Sequence, residues 1–179
     1  MTDVCEKLKQ GARFACQMCG FCCSTKDGHI FVFPEEIPPI VKYLGLKPSE
    51  FFENYVGVVR DRYVGHWMHV AVILQEKDGR CTFFGKDKKC KIYPVRPFQC
   101  RGFPFWRMYV EDCDGWDEVS SLCPGIGKGN KVSKRKIVAL VKREVDLEVD
   151  YYKRMKKRGF DVKAIYPLIP SKLLGEKKN

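Results

Sequence analysis

The feature of this sequence with the clearest chemistry is a group of four cysteines within eight residues. Cys16, Cys19, Cys22 and Cys23 form two successive Cys-X-X-Cys steps, with a fourth thiol directly after the third. This spacing lets a tight turn aim successive sulfur atoms at one centre, as in zinc sites and iron-sulfur proteins. The motif therefore predicts metal ligation by thiolates.

Five more cysteines follow along the chain, at positions 81, 90, 100, 113 and 123. Turn residues surround them, and prolines at 94, 97 and 104 exclude long regular structure through Phe105. A loop can wrap around a metal without breaking a ladder of backbone hydrogen bonds. These segments are therefore suited to the same chemistry.

Disulfides are the competing interpretation of the ten cysteines. The N-terminal segment has no apolar stretch suited to a secretion signal, and the longest apolar run, residues 70–74, is far shorter than the roughly 20 residues that cross a bilayer. We therefore expect a cytoplasmic protein with reduced thiols, which favours metal. Intracellular disulfides of hyperthermophiles stay an open alternative, because the chain is rich in Lys and has only three Asn and four Gln.

The net charge of +11 is concentrated in the last part of the chain. Residues 128–179 contain 16 basic and 6 acidic side chains, a net charge of +10, which leaves +1 for residues 1–127. This asymmetry predicts attraction to an acidic partner, such as nucleic acid or an acidic protein surface. An ordinary solvated helix face is the alternative interpretation of the same residues.

The elements that must position the cysteines are mostly short. Strands are expected at 29–33 and 67–74, and the turn signal Asp78-Gly79 predicts a hairpin between the second strand and residues 80–84. A broken helix is expected at 35–44, because two consecutive prolines interrupt it. Another helix is expected to start at Pro48.

One long helix is predicted at 133–158, with Ser133 as its N-cap and Gly159 as its stop. Its apolar face is expected to comprise Ile137, Val141, Val145, Val149 and Tyr152. The fold class is therefore α+β, a small irregular cysteine-rich domain stapled by metal. Residues 1–127 are expected to form this domain, and residues 128–179 a basic helical extension packed on it.

The sequence around the cysteines resembles the YkgJ-type cysteine-cluster family, which is known by its CxxCxxCC motif and described as zinc- or iron-chelating domains. The resemblance covers about residues 14–127 and rests on four blocks in the same order, at 14–23, 79–83, 90–104 and 123–125. It implies metal or iron-sulfur binding by eight cysteines: Cys16, Cys19, Cys22, Cys23, Cys81, Cys90, Cys100 and Cys123. Cys5 and Cys113 lie outside the shared pattern.

The identity of the metal is left between two alternatives, because ligands that are all cysteine suit iron-sulfur clusters and zinc alike. We favour one or two iron-sulfur clusters, of the 4Fe-4S type. In the zinc alternative, the metal folds an interaction module whose basic C-terminal helix binds an acidic partner such as nucleic acid. No Ser/His/Asp or Cys/His catalytic set can be assembled, so no reaction is predicted.

Cys22 and Cys23 are expected to serve different centres, or one of them to be spare. Adjacent side chains in an extended segment point in opposite directions and do not easily grip the same small ion. The eight cysteines also divide into two sets of four, the number that a zinc ion or a cubane cluster takes from protein. Two centres are therefore the simplest interpretation.

Arg96 and Arg101 lie on either side of Cys100 in the sequence. A fixed cation beside a thiol lowers the thiol pKa and stabilises the negative charge of a cluster. Pairing with nearby carboxylates is the alternative role of both arginines.

Overall fold

The computed structural model describes residues 4–24, 29–63, 65–76 and 78–174. Helices make up 48% of the structure and strands 19%, which confirms the mixed helix-and-strand fold class. Within the described ranges, no helix has the length and apolar character needed to span a membrane.

A two-stranded antiparallel sheet joins the two ends of the cysteine-rich region. Its strands are β1 (Ala12–Phe14) and β5 (Ile126–Val132), with Ala12 opposite Val132. Sequence patterns predict neither strand, because β1 is short and β5 is rich in Gly and Lys. The pairing matters for the site, since β1 runs directly into the first cysteine motif and β5 follows the last cysteine.

A three-stranded antiparallel sheet has the order β2 (Ile30–Phe31), β4 (His66–Ile73) and β3 (Val56–Tyr63). The predicted strands 29–33 and 67–74 correspond to β2 and β4. The predicted hairpin is present in short form just beyond β4: Gln75 pairs antiparallel with Cys81, and the N–H of Thr82 donates to the carbonyl of Leu74 at 3.1 Å. Along its whole length β4 pairs with β3, which precedes it. A second isolated bridge joins Phe84 to Cys90.

The first two helices are α1 (Ile37–Leu44) and α2 (Pro48–Tyr55). The predicted break in the first helix is wrong, because its prolines occupy the first turn. Backbone N–H groups in a first turn have no partner within the helix, so proline is tolerated there. Three shorter helices follow: α3 (Phe98–Gly102), α4 (Arg107–Val110) and α5 (Cys113–Leu122).

The long helix α6 (Lys134–Lys157) has the predicted ends. Ser133 Oγ accepts the N–H of Lys136, and Gly159 has a left-handed φ of 62° just beyond the C-terminus. The predicted apolar face is correct only in its first half. The buried residues are Ile137, Val141, Leu147, Tyr151 and Met155, because a face repeating every 3.6 residues drifts away from a strict four-residue step.

Helix α6 packs against two hydrophobic cores. Its N-terminal half contributes Ile137 and Val141 to a core that also contains Leu8, Phe105 and Trp116. Its C-terminal half adds its buried residues to the core beneath the three-stranded sheet and the first two helices. Seven of the ten cysteines belong to these cores or pack against them: Cys5, Cys22, Cys23, Cys81, Cys90, Cys113 and Cys123.

Candidate metal centre

The CxxCxxCC segment folds as a compact turn between β1 and β2. Gly20 has a φ of +83°, and a Cβ on it would approach Cζ of Phe84 to 2.6 Å, so glycine is required both for its conformation and for its lack of a side chain. Residues Phe21–Cys23 then form one 3-10 turn. The carbonyl oxygen of Cys23 accepts the N–H of Cys81 at 2.7 Å, which holds the motif against the second cysteine segment.

Six cysteines from three segments line one cavity of about 60 Å³: Cys16, Cys22, Cys23, Cys81, Cys90 and Cys100. Most of the remaining lining is apolar and includes Ile30, Ile73 and Phe83. Among the residues that the structure describes, no three His, Cys, Asp or Glu side chains are grouped closely enough to hold a single ion. The six thiols therefore line a cavity, and they are not arranged around the position of a single ion.

Cys19 and Cys123 lie outside the lining of this cavity. The backbone N–H of Ala15 bonds to the carbonyl of Gly125 at 3.1 Å, which brings the start of the cysteine motif to the end of the cysteine-rich region. Cys123 is buried, and the thiols that influence it electrostatically are those of Cys19 and Cys16. Cys123 thus belongs with the first motif rather than with the middle segments.

The eight cysteines form two neighbourhoods that overlap at Cys16 and Cys22. We call Cys23, Cys81, Cys90 and Cys100 the inner set, because Cys23 and Cys81 act on Cys100, and Cys23 acts on Cys90. The other four, Cys16, Cys19, Cys22 and Cys123, are called the outer set. Cys16 and Cys22 lie between the two sets, because both line the cavity. Cys16 acts on Cys90 as well as on Cys123, and Cys22 interacts with Cys23 and Cys100 as well as with Cys16.

Burial raises the pKa of three of the four inner-set thiols, Cys81, Cys90 and Cys100. The pKa of Cys81 rises to about 11, and the pKa of Cys90 and that of Cys100 also lie above the usual value, with loss of solvation as the largest cause in each case. Buried thiolates are unfavourable without a nearby positive charge. Binding of a cationic centre must therefore displace protons from these thiols.

The adjacent pair Cys22 and Cys23 departs from the sequence-based expectation in one respect. The segment is a 3-10 turn rather than extended, and the two thiols are hydrogen-bonded to each other. This bond raises the pKa of Cys22 and lowers the pKa of Cys23. The physical reason given for separate centres is therefore wrong. Both thiols interact with Cys100, and Cys23 also acts on Cys81 and Cys90.

The two arginines beside Cys100 have different roles. Arg96 lies over the ring of Tyr93, with the guanidinium carbon 3.8 Å from the ring centre, and donates to the carbonyl of Tyr93 at 2.7 Å. Its positive charge contributes to the lowered pKa of Cys23 and offsets part of the rise in the pKa of Cys90 and Cys100. Arg101 instead pairs with a carboxylate, with its Nη2 3.7 Å from Oε1 of Glu36.

Glu36 is a positioning residue that sequence reasoning missed. It is buried, and its carboxylate accepts the backbone N–H groups of Phe33 and Phe98. Phe98 is the first residue of α3, which carries Cys100. Glu36 therefore fixes the start of the helix that presents an inner-set thiol, and a glutamate three residues after an aromatic residue gives little sign of this in the sequence.

We expect Glu36→Ala to destabilise the fold by about 2–4 kcal/mol, because it leaves two backbone N–H groups and Arg101 without their acceptor. Urea denaturation measures the change, and metal content should fall as α3 loosens. Glu35→Ala is the matched control: its ion pair with Arg154 is exposed and worth at most about 1 kcal/mol. Equal effects of the two substitutions would contradict the role of Glu36.

A disulfide joins Cys5 and Cys113, the two cysteines outside the shared pattern, with their Cα atoms 5.1 Å apart. It ties the N-terminal segment to the first residue of α5. The open alternative of disulfides is therefore correct for this pair, while the other eight cysteines are free. The position of Cys5 and Cys113 outside the shared pattern was the signal in the sequence that could have indicated this disulfide.

The fold and the cysteine arrangement together define a small α+β domain of the metal-chelating cysteine-cluster class. Comparison with known families agrees: residues 15–124 match the CxxCxxCC family, described as "Putative zinc- or iron-chelating domain". The match covers more than half of the chain, and the protein belongs to this family.

A relative in Methanocaldococcus jannaschii is an uncharacterised protein, 35% identical over 96 residues. The aligned region is 53% of this chain and 46% of the relative, so the chain spans about half of that protein's length. No solved structure matches the chain.

Proposed function

We propose that the inner set holds an iron-sulfur cluster of the 4Fe-4S type, and that the outer set holds a second centre. The observation that carries this proposal is the arrangement of six thiols from three segments around one largely apolar cavity. Four thiolates are the ligand number that a cubane cluster takes from protein. The ligands proposed are the eight cysteines of the family pattern.

The surroundings of the inner set suit a cluster. Sulfur donors match iron, and apolar walls formed by residues such as Ile73 and Phe83 keep solvent away. Arg96 supplies a fixed positive charge beside three of the thiols, which offsets the negative charge of a thiolate-bound cluster. When bound, such a cluster would supply one-electron transfer.

A cytoplasmic location is part of this proposal, because thiolate ligands need a reducing compartment to stay available for metal. One disulfide beside eight free cysteines fits the intracellular disulfides known in hyperthermophiles.

Metal analysis of anaerobically purified protein tests the proposal. We expect a brown protein with visible charge-transfer absorption, containing iron and acid-labile sulfide in equal amounts, about four of each per occupied cluster. A colourless protein that contains zinc and no sulfide would refute the cluster and support the zinc-stapled module instead.

One observation favours that second candidate. The exposed side of β5 and the start of α6 display Lys128, Lys131, Arg135 and Lys136 to solvent. An acidic partner such as nucleic acid would bind this surface electrostatically, with affinity that falls steeply as salt rises. In that function the metal would serve only to fold the scaffold.

A further inference from the structure

A second cavity, of about 250 Å³, lies between α6, the end of β2 and the first residues of α3 and α4. Its lining combines aromatic rings with carboxylates. The lining residues relevant here are Phe31, Phe33, Phe98, Trp106, Glu144 and Glu148. None of them is a cysteine or belongs to the proposed ligand set.

The two carboxylates form a like-charge pair, and Arg107, which also lines the cavity, offsets their charge only in part. Glu144 and Glu148 lie one turn apart on α6 and are only partly exposed. In the part of the chain that the structure describes, neither has a Lys or Arg side-chain nitrogen within 4.0 Å. Like charges at this spacing destabilise a helix, and partial burial adds to the cost.

The environment of these carboxylates favours an incoming cation. Burial raises the pKa of both carboxyl groups, and the charge of Glu148 adds to the shift of Glu144. Arg107 offsets part of this rise: its backbone N–H donates to Oε2 of Glu144 at 2.8 Å, and the positive charge of its side chain acts against the rise in the pKa of both carboxyl groups. A second positive charge between the two carboxylates would relieve the remaining repulsion.

The aromatic walls are held in place by their own contacts. Trp106 donates its Nε1–H to the carbonyl of Gln99 at 2.7 Å and stacks on Tyr109 with ring centres 5.6 Å apart. Phe33 packs edge-on against Tyr151. Fixed aromatic faces attract organic cations and also cover apolar groups attached to them.

We propose that this cavity binds an alkylammonium group, with the charged nitrogen at Glu144 and Glu148 and the alkyl part against Trp106 and the phenylalanine rings. A hard metal ion such as Ca²⁺ is a poor fit, because it needs six to eight oxygen ligands and the aromatic walls offer none. A neutral apolar molecule would leave the carboxylate pair uncompensated.

This cavity adjoins a larger groove that reaches the cysteines. The groove shares Phe31, Gln99, Trp106 and Met108 with the cavity and extends to Cys22 and Cys100. A ligand anchored by its ammonium group would therefore extend towards the cysteines. The cation site depends on its own carboxylates and rings, so it stands whichever metal the cysteines hold.

Calorimetric titration of the full-length protein with n-butylammonium, and with n-butanol as the neutral analogue, tests the proposal. We expect n-butylammonium to bind at least tenfold more tightly than n-butanol. The double variant Glu144→Gln/Glu148→Gln should weaken n-butylammonium binding at least tenfold. The control Asp146→Asn, on the exposed face of the same helix, should change it less than twofold. Equal affinity for the amine and the alcohol would overturn the proposal.

The double variant should fold, because the amide oxygen that Glu144→Gln introduces can still accept the backbone N–H of Arg107. If the double variant does not fold, the proposal is tested by the single variant Glu148→Gln and by the ratio of n-butylammonium affinity to n-butanol affinity in the unchanged protein.

A blocked Gly-Lys-Gly peptide distinguishes the sources of the ammonium group. Tighter binding of the peptide than of n-butylammonium indicates a lysine side chain, and weaker binding indicates a free amine.

Discussion

Replacing Cys23 by Ser should remove about half of the bound metal, and replacing Cys22 by Ser should remove the other half. The reason is the count of ligands: Cys23 acts on Cys81, Cys90 and Cys100, which completes one set of four. Cys22 interacts with Cys23, Cys100 and Cys16, and in the proposal it completes the second set of four. A serine oxygen is a weaker ligand than thiolate for both iron and zinc, so each substitution disables one centre. Iron, zinc and sulfide determined for each purified variant provide the measurement.

Ser24→Ala is the matched control, because Ser24 is the exposed next residue and no thiol is lost. It should keep the full metal content. Unchanged metal in one cysteine variant and complete loss in the other would contradict two centres, and would indicate one centre with a spare thiol. Cys81→Ser gives a second check, since it should reproduce the loss seen for Cys23→Ser.

The double substitution Cys5→Ser/Cys113→Ser should lower the free energy of unfolding by about 3–5 kcal/mol and the melting temperature by roughly 10 °C. The disulfide joins residues 108 apart in sequence, so it restricts the unfolded chain over more than half of its length. The folded state also uses the link, because Val4 and Leu8 beside Cys5 are buried in the core under α5. Urea denaturation and calorimetry measure both quantities.

Ser121→Ala serves as the control for this experiment, because Ser121 is exposed on α5. It should change stability by less than about 0.5 kcal/mol. Metal content of the double variant is a separate readout, and we expect it to be retained, because neither cysteine lines the cavity. A double variant as stable as the unchanged protein would show that the disulfide does not stabilise the fold.

Local sequence patterns were sufficient to predict the structural features that depend on neighbouring residues. The ends of α6 follow from a serine that caps it and a glycine that follows it, and both act within one turn. The CxxCxxCC turn is likewise local, and the family match supports its interpretation as a metal-chelating motif. Short-range sequence therefore determined the long helix, the mixed fold class and the chemistry of the first motif.

The tertiary structure decided the features that depend on contacts between distant residues. Pairing of β1 with β5 brings the first motif to Cys123, and pairing of β3 with β4 leaves residues 80–90 as the loop that carries Cys81 and Cys90. Burial of Glu36 under α3, the link between Cys5 and Cys113, and the carboxylates facing Trp106 likewise join segments far apart in the chain. Their common physical reason is that each depends on which surfaces become buried together, and no periodicity or spacing in the sequence encodes that choice.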